Sequence, residues 1–384
     1  MSTRILTVAS GYPSDAEPDR GTFVHVLMAE FRALGVELAV LAPQSAFSRT
    51  AWRQRLGPAT FAETRDGVEI RRPRYLPFSN KALPGGLSTY RWTVASFWRA
   101  VRRGVRSLRW GPDLCYGHFL YPAGLSAQRS ARNLGVPSVV ALGESSFEHY
   151  ERHMGLPRMR EDLAGFAKVV AVSEATRERC IERYGAAEDR VRVFPNAAAQ
   201  HFRPRPREEM RRQLGLPPDK AIVAFLGHFN HNKGPDRVLQ AIEARRDIGA
   251  IFVGSGPIEP TGPQVLFAGA IEHEQVPLWL SAADILVHPS LAEGSSNALR
   301  EAMACGLPVV ASRTRANLEF LDSSVGILVD PLDVDEIQGA ITTLIDDPDR
   351  RRAMGEAALK KTTQEASADR ARNILEWISS PPEC

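Results

Sequence analysis

Short apolar runs of strand length alternate along this chain with longer segments whose apolar residues recur every three or four positions. That alternation builds parallel sheets from strands joined by crossover helices. In the first half it predicts strands at Ile5–Ala9, Glu37–Leu41, Val68–Arg71, Leu114–Gly117, Ser138–Leu142, Val169–Val172 and Arg192–Phe194. In the second half it predicts Ile222–Leu226, Ala250–Val253, Val265–Ala268, Ile285–Val287, Val309–Ala311 and Ile327–Val329. Between the two sets lies "PNAAAQHFRPRPREEMRRQLGLPPDK", rich in Pro, Arg and polar residues, which reads as a joint carrying one short helix. The fold class is therefore α/β, with two doubly wound parallel-sheet domains in series, residues 1–196 and 197–366.

In such sheets ligands bind beyond the carboxyl ends of the strands, where loops and helix N-termini gather. The first loop, "SGYPSDAEPDRGTF", is long and carries Gly11 and Gly21; Thr22 reads as the N-cap of a helix Phe23–Leu34 that Gly35 stops. A second stretch, "ADILVHPSLAEGSSNALREAMACGLPVVAS", is a complete strand–helix–strand unit. Ser295, Ser296 or Asn297 can cap its helix and Gly306 can end it. The helix N-terminus then opens at the ligand edge with unpaired N–H groups and a positive dipole end. Gly294, Ser295 and Ser296 let the backbone approach a diphosphate, and Glu293 sits ahead of the helix where a carboxylate can hold hydroxyls. Glu301, in the second turn, can accept from a vicinal diol such as a ribose. The other reading of the two glutamates is one on the surface and one in a cap. In "AIVAFLGHFNHNKGPDRVLQAI", Lys233 and Gly234 stand at a helix entrance, where the lysine is either a point charge for phosphate or a solvated loop side chain. Glu293 and Glu301 about the helix N-terminus describe a diphosphate held between a sugar and a ribose, and a second phosphate-ready loop in the same sheet adds to that reading.

Composition narrows the class. A chain of 384 residues exceeds one ordinary α/β core, and 43% hydrophobic with 24% charged residues is a soluble globular balance. No apolar run approaches the roughly 18 residues of a membrane span, and the first residues read as a strand rather than a signal peptide. Cys115, Cys180, Cys305 and Cys384 are scattered without a CxxC pair, so a reduced cytoplasm with no structural metal is expected. "DPLDVDEIQGAI" holds an Asp-x-Asp, but Asp333 reads as the N-cap of the following helix. "VGSGP" lacks the third glycine of a dinucleotide fingerprint. The net charge of +3 hides an asymmetry: residues 1–110 hold 17 Lys/Arg against 8 Asp/Glu, and the remainder holds 31 against 37. Within the basic part, Tyr90–Trp110 sets Tyr90, Val94, Phe97, Val101, Val105 and Leu108 on one side and Arg99, Arg102, Arg103, Arg106 and Arg109 on the other. That is a packed helix with a solvated basic face, or a surface for anionic lipid or an acidic acceptor; no recognition motif for nucleic acid accompanies it. "GESSFEHY" puts Glu144, Ser145 and His149 after a strand, near a ligand edge, without assigning them a task.

The series "FLGHFNHNKG", "FVGSGP", "VPLWLSAADILVHPSLAEGSSNALREAMACGLPVVAS" and "VGILVDPLD" resembles the donor-binding domain of family 4 of the retaining glycosyltransferases, whose glutamate, seven residues, glutamate spacing is matched by Glu293 and Glu301. "PDLCYGHFLYPAGLSAQRSARNLGVPSVV", "VVAVSEATRE" and "VRVFPN" resemble the family's first half more loosely. The resemblance implies a GT-B fold of two Rossmann-like domains across a cleft, with a last helix near Ala368–Ser379, in residues 367–384, returning to the first domain. It implies that Glu293 holds donor-sugar hydroxyls beside Gly294, Ser295, Ser296 and Asn297, that Glu301 holds the ribose and Lys233 the diphosphate. His118 would reach the donor sugar, and Gly21 would admit donor and acceptor. His228 stands where the family usually has arginine, so its charge depends on protonation. Asn196 is followed by alanines, Arg315–Ala316 replaces a glycine pair, and Gly21 stands alone where many members have two glycines. The implied activity is metal-independent, cofactor-free transfer of a sugar from a nucleotide diphosphate sugar to the hydroxyl of a glycan, lipid-linked glycan or small molecule, in the cytoplasm or at the inner membrane face. A nucleotide-sugar epimerase on the same fold, or a non-catalytic nucleotide-sugar binder, are the rival expectations.

Overall fold

The computed structural model describes residues 3–15, 17, 20–47, 60–83, 87–144, 147–364 and 367–380. Ser145 and Cys384 lie outside the described residues. The chain divides into two compact units, Met1–Pro195 with Ala371–Cys384, and Asn196–Arg370. Asn196 belongs to the second unit because its side chain donates to the Ser295 carbonyl (3.1 Å) and accepts from Arg370 (3.2 Å).

The first unit is built on a nine-stranded sheet. Its order is Val191–Val193, Lys168–Ala171, Ser138–Leu142, Leu114–His118, Arg4–Ala9, Glu37–Leu41, Val68–Tyr75 and Gln44–Ser45, all parallel, with Thr60–Arg65 antiparallel to Val68–Tyr75. Strand alternation sends neighbours to opposite faces. Ile5 joins Phe31 and Tyr116 in one core, while Leu6 and Val8 join Phe97 and Cys115 in another. The final helix, Ser367–Ser379, buries Ala371, Ile374 and Ile378 in the first of these cores. Lys168 fastens its end: the ammonium donates to the Ser380 carbonyl and hydroxyl, both at 2.7 Å, and lies over the Trp377 ring. The second unit has a six-stranded parallel sheet in the order Val265–Gly269, Ile248–Val253, Ala221–Leu226, Ile285–His288, Val309–Ser312, Gly326–Val329.

Three local expectations change. Thr22 does not cap the first helix: the helix runs Thr22–Ala33, and Gly21, left-handed at φ 73°, takes the cap position with no side-chain hydrogen bond. Gln44–Ser45 and Thr60–Arg65 are strands with no continuous apolar run to announce them, because they pair at the sheet's margin. The basic helix spans Thr89–Arg106, with Ser88 as its cap.

Candidate functional site

Each sheet reverses its strand order beside the first strand of its unit, and loops that leave two neighbouring strands in opposite directions open a crevice there. In the first unit that place lies between Arg4–Ala9 and Leu114–His118, where Ala9 pairs with His118. In the second it lies between Ala221–Leu226 and Ile285–His288. Gly21, His118, His228, Lys233 and Glu293–Ser296 lie at these four strand ends or in the loops that leave them, and Asn297 and Glu301 follow on the helix that the last of them feeds, whereas Glu144 follows the neighbouring strand Ser138–Leu142.

In the first unit, the loop after Ala9 returns so closely that a Cβ on Gly21 would stand 2.5 Å from the Gly11 carbonyl oxygen. Left-handed φ and this approach both require glycine. His118 is buried, its ring 5.1 Å from Phe23 at the start of the first helix and 4.8 Å from Phe119. Phe119 holds a positive φ of 68°, a sparsely populated conformation for a residue with a side chain. Glu144 secures this turn from the neighbouring strand end: its Oε1 accepts from the Leu120 N–H at 2.6 Å. Burial pushes the Glu144 carboxyl up to about 7 against the lowering effect of its backbone hydrogen bonds. His149 packs instead on Tyr90, at 5.1 Å.

In the second unit, Gly227 and exposed His228 follow the strand Ala221–Leu226, and the loop then wraps to Gly234. Gly234 is left-handed at φ 70° and caps the helix Pro235–Ile242; a Cβ there would collide with the Arg237 guanidinium at 2.2 Å. Arg237 in turn donates to the carbonyls of His231 (2.9 Å) and Pro289 (2.7 Å), so it stitches this loop to the one after His288. Leu291 N–H donates to the Asn232 carbonyl at 2.8 Å and completes the seam.

The seam brings Lys233 onto Glu293. Their Nζ–Oε1 distance is 2.6 Å, with the carboxylate side chain 5% exposed and the lysine 23%. Burial opposes ionisation of Glu293, but the Lys233 ammonium, His288 and a Ser290 hydrogen bond outweigh it and hold the carboxyl below its usual range. His288, absent from the sequence candidates, ends its strand with Nδ1 3.7 Å from the same oxygen. Burial pushes its imidazole down to about 4, so it is neutral near pH 7. Its position at the carboxyl end of "ILVH" matches that of His118 at the end of "LCYGH", which was the available signal. Gly294 and Ser295 follow, and Ser296 caps the helix Asn297–Ala304 by accepting from Leu299 N–H. Glu301, one turn on, accepts from His273 Nε2 at 3.1 Å. His273 was likewise not a sequence candidate.

The arrangement thus joins a cation, a buried carboxylate and a helix N-terminus at one crevice of the second sheet, with a second carboxylate on the same helix. His118 and Gly21 belong to the crevice of the first unit. Among the described residues no group of three His, Cys, Asp or Glu side chains is placed to hold a metal ion. Asp333 instead caps its helix, accepting from Glu336 N–H at 2.9 Å.

Comparison with known proteins assigns both halves to one class. Residues 21–197 match the glycosyl transferase 4-like domain, and residues 206–361 match the glycosyl transferases group 1 family. The chain is a group 1 glycosyltransferase with the GT-B fold. It is 29% identical over 355 residues, 88% of each chain, to TuaC of Bacillus subtilis (strain 168), named as a teichuronic acid biosynthesis glycosyltransferase. It is 32% identical over 255 residues, 59% of this chain and 66% of the relative, to the GDP-mannose-dependent alpha-(1-6)-phosphatidylinositol monomannoside mannosyltransferase of Mycolicibacterium smegmatis (strain ATCC 700084 / mc(2)155). Among solved structures, sucrose-phosphate synthase from Thermosynechococcus elongatus superposes with a TM-score of 0.77 at 19% identity, over 98% of both chains. Anabaena Alr3699/HepE in complex with UDP-glucose gives 0.72 at 21% identity, over 98% of this chain and 100% of that one.

Proposed function

We propose that this protein moves a sugar from a nucleotide diphosphate sugar to an acceptor hydroxyl with retention at the anomeric carbon. The observation that carries this reading is the convergence of Lys233, Glu293 and the helix opening at Ser296 where the second sheet's strand order reverses. Lys233 and the amides at Gly294–Asn297 stabilise charge that leaves with the diphosphate. Glu293 holds hydroxyls of the donor sugar and Glu301 holds the ribose. His228 lies on the phosphate side, while His118 and Gly21 serve the reacting end. In the reaction the anomeric carbon loses its bond to the phosphate oxygen and gains one to the acceptor oxygen, whose proton passes to the departing phosphate. No metal or cofactor takes part, so the donor is a substrate only. The relatives' names, one for teichuronic acid biosynthesis and one for a phosphatidylinositol monomannoside, support a glycan or lipid-linked glycan as acceptor.

Thermal shift against UDP-, GDP-, ADP- and TDP-sugars in excess EDTA, followed by hydrolysis and transfer assays on the donor that stabilises, tests this. Stabilisation and turnover with EDTA present are expected. Activity lost to EDTA and restored by Mn²⁺ contradicts the metal-free phosphate site. Stabilisation without turnover favours a binder, and release of an isomerised sugar favours an epimerase.

The helix Thr89–Arg106 favours a lipid-borne acceptor at the cytoplasmic membrane face. Its buried side packs Tyr90, Val94, Phe97 and Val101, while Arg99, Arg102, Arg103 and Arg106 are exposed. Trp92 is 52% exposed and meets half-exposed Phe78 edge-on at 5.8 Å, beside the arginine face. Cations flanking exposed aromatics suit an anionic headgroup layer. No helix among the described residues is long and apolar enough to cross a membrane. Arg102→Glu with Arg106→Glu is expected to reduce binding to vesicles containing phosphatidylglycerol by about tenfold at low salt, at about 1 kcal/mol per cation and allowing for partial contact. Donor affinity should not change. Unaltered vesicle binding assigns the arginines to solvent.

A further inference from the structure

We infer that His273 is a positioning residue for the nucleoside end of the donor: its imidazole fixes the Glu301 carboxylate for a vicinal diol and thereby sets the preference for ribonucleotides over 2′-deoxyribonucleotides. This inference rests on the ribose role proposed for Glu301. His273 opens a short turn, His273–Gln275, that follows the strand Val265–Gly269, and it meets Glu301 across 28 residues of chain. Its Nε2 lies 3.1 Å from Oε1, and the two side chains are only 16% and 14% exposed. Such a sheltered bond restricts a carboxylate that would otherwise turn freely on the helix surface.

The imidazole is itself held from two sides. His201 and Phe202, from the first segment of the second unit, each lie 5.1 Å from it, His201 at 79° between ring planes. The ionisable groups around the pair are His201, Glu274 and Cys305. Burial keeps His201 below the usual histidine range and raises the Cys305 thiol to about 12, so neither brings a charge near pH 7. Burial lowers His273 as well, but the hydrogen bond and charge of Glu301, with Glu274, outweigh it and raise the imidazole above its ordinary value. The second Glu301 oxygen makes no hydrogen bond among the described residues. A carboxylate offers about four acceptor positions, so one bond from His273 leaves room for both hydroxyls of a diol. A site built to receive a hydroxyl rejects an analogue that lacks it.

Calorimetric titration with whichever of UDP or GDP binds the wild-type protein, and with its 2′-deoxy form, tests this in the full chain. The ratio of the two Kd values cancels any loss of folded fraction. The wild-type protein is expected to favour the ribonucleotide by about tenfold to a hundredfold, the value of one hydrogen bond to a charged acceptor. His273→Leu should shrink the preference to about threefold or less, as the carboxylate loses its fixed orientation. His273→Gln should restore most of it, because the glutamine amide can donate from nearly the same place. Glu301→Ala separates the two claims. If it leaves the preference intact, the ribose role of Glu301 is wrong. If it abolishes the preference while His273→Leu does not, the positioning role of His273 is wrong. Equal loss in the Leu and Gln variants assigns the effect to ring packing and overturns the inference as well.

Discussion

Replacing Glu293 by glutamine is expected to lower kcat for sugar transfer by about 10²–10³-fold, the usual effect of deleting one preorganised electrostatic contact at a reacting centre. Affinity for the nucleoside diphosphate product should hold or tighten. Both expectations follow from one contact. Glu293 meets the Lys233 ammonium at 2.6 Å. Glutamine keeps the shape and one acceptor oxygen but removes the charge, so the ammonium turns fully to the phosphates. Because Glu293 is held below the usual carboxylate range, it is ionised at every pH near neutrality, and the defect should not vary across that range. Steady-state kinetics and calorimetry on the same preparation check it. A kcat within about threefold of wild type, far short of the loss expected for such a contact, removes Glu293 from the reacting centre. A large loss of diphosphate affinity gives it a different task.

Replacing Lys233 by methionine should act in the opposite sense. Affinity for the nucleoside diphosphate should fall by about tenfold to a hundredfold as a charged hydrogen bond is lost. The buried carboxylate is also left without its cation. Breaking a fully buried pair costs about 3–5 kcal/mol, and partial exposure of Lys233 reduces this to about 2–3 kcal/mol. The pH dependence identifies the cause. In the native protein the lowered Glu293 pKa contributes stability that is present above the ordinary carboxylate range and is lost as pH falls through the folded value. Without Lys233, burial prevails and that contribution vanishes, so variant and wild type should converge in acid and diverge towards neutrality. Adding Glu293→Gln should recover stability without recovering affinity. Thermal unfolding near pH 3, below the ordinary carboxylate range, and at pH 7 decides the point. An equal deficit at both values means the ion pair is not what the substitution disturbs.

Much of this was legible from residues alone, for a physical reason. Strands buried on both faces, such as Ile285–His288 and Leu114–His118, need continuous apolar runs, and these show in one dimension. Glu293 and Glu301 share one helix unit, so their relation to its N-terminus is local and readable. What the pattern hid is of two kinds. Marginal strands such as Thr60–Arg65 are held by backbone pairing at the edge and need no apolar run. Thr22 looks like a cap in sequence, but Gly21 enters the helix left-handed at the cap position and Thr22 is the first helical residue. Contacts across long separations were hidden as well. Lys233 and Glu293 are 60 residues apart, and each reads in sequence as a ligand group for the donor. Only the reversal of strand order makes them partners of one another. His288 and His273 became visible through the same folding.

Retentive transfer from a nucleotide diphosphate sugar leaves its signature in the anomer released first. Proton NMR of the first sugar product, recorded before mutarotation and with the stabilising α-linked donor, reads it most directly. Retention predicts that the α-anomer appears first and that its formation stops in Glu293→Gln. Initial formation of the β-anomer would contradict the account.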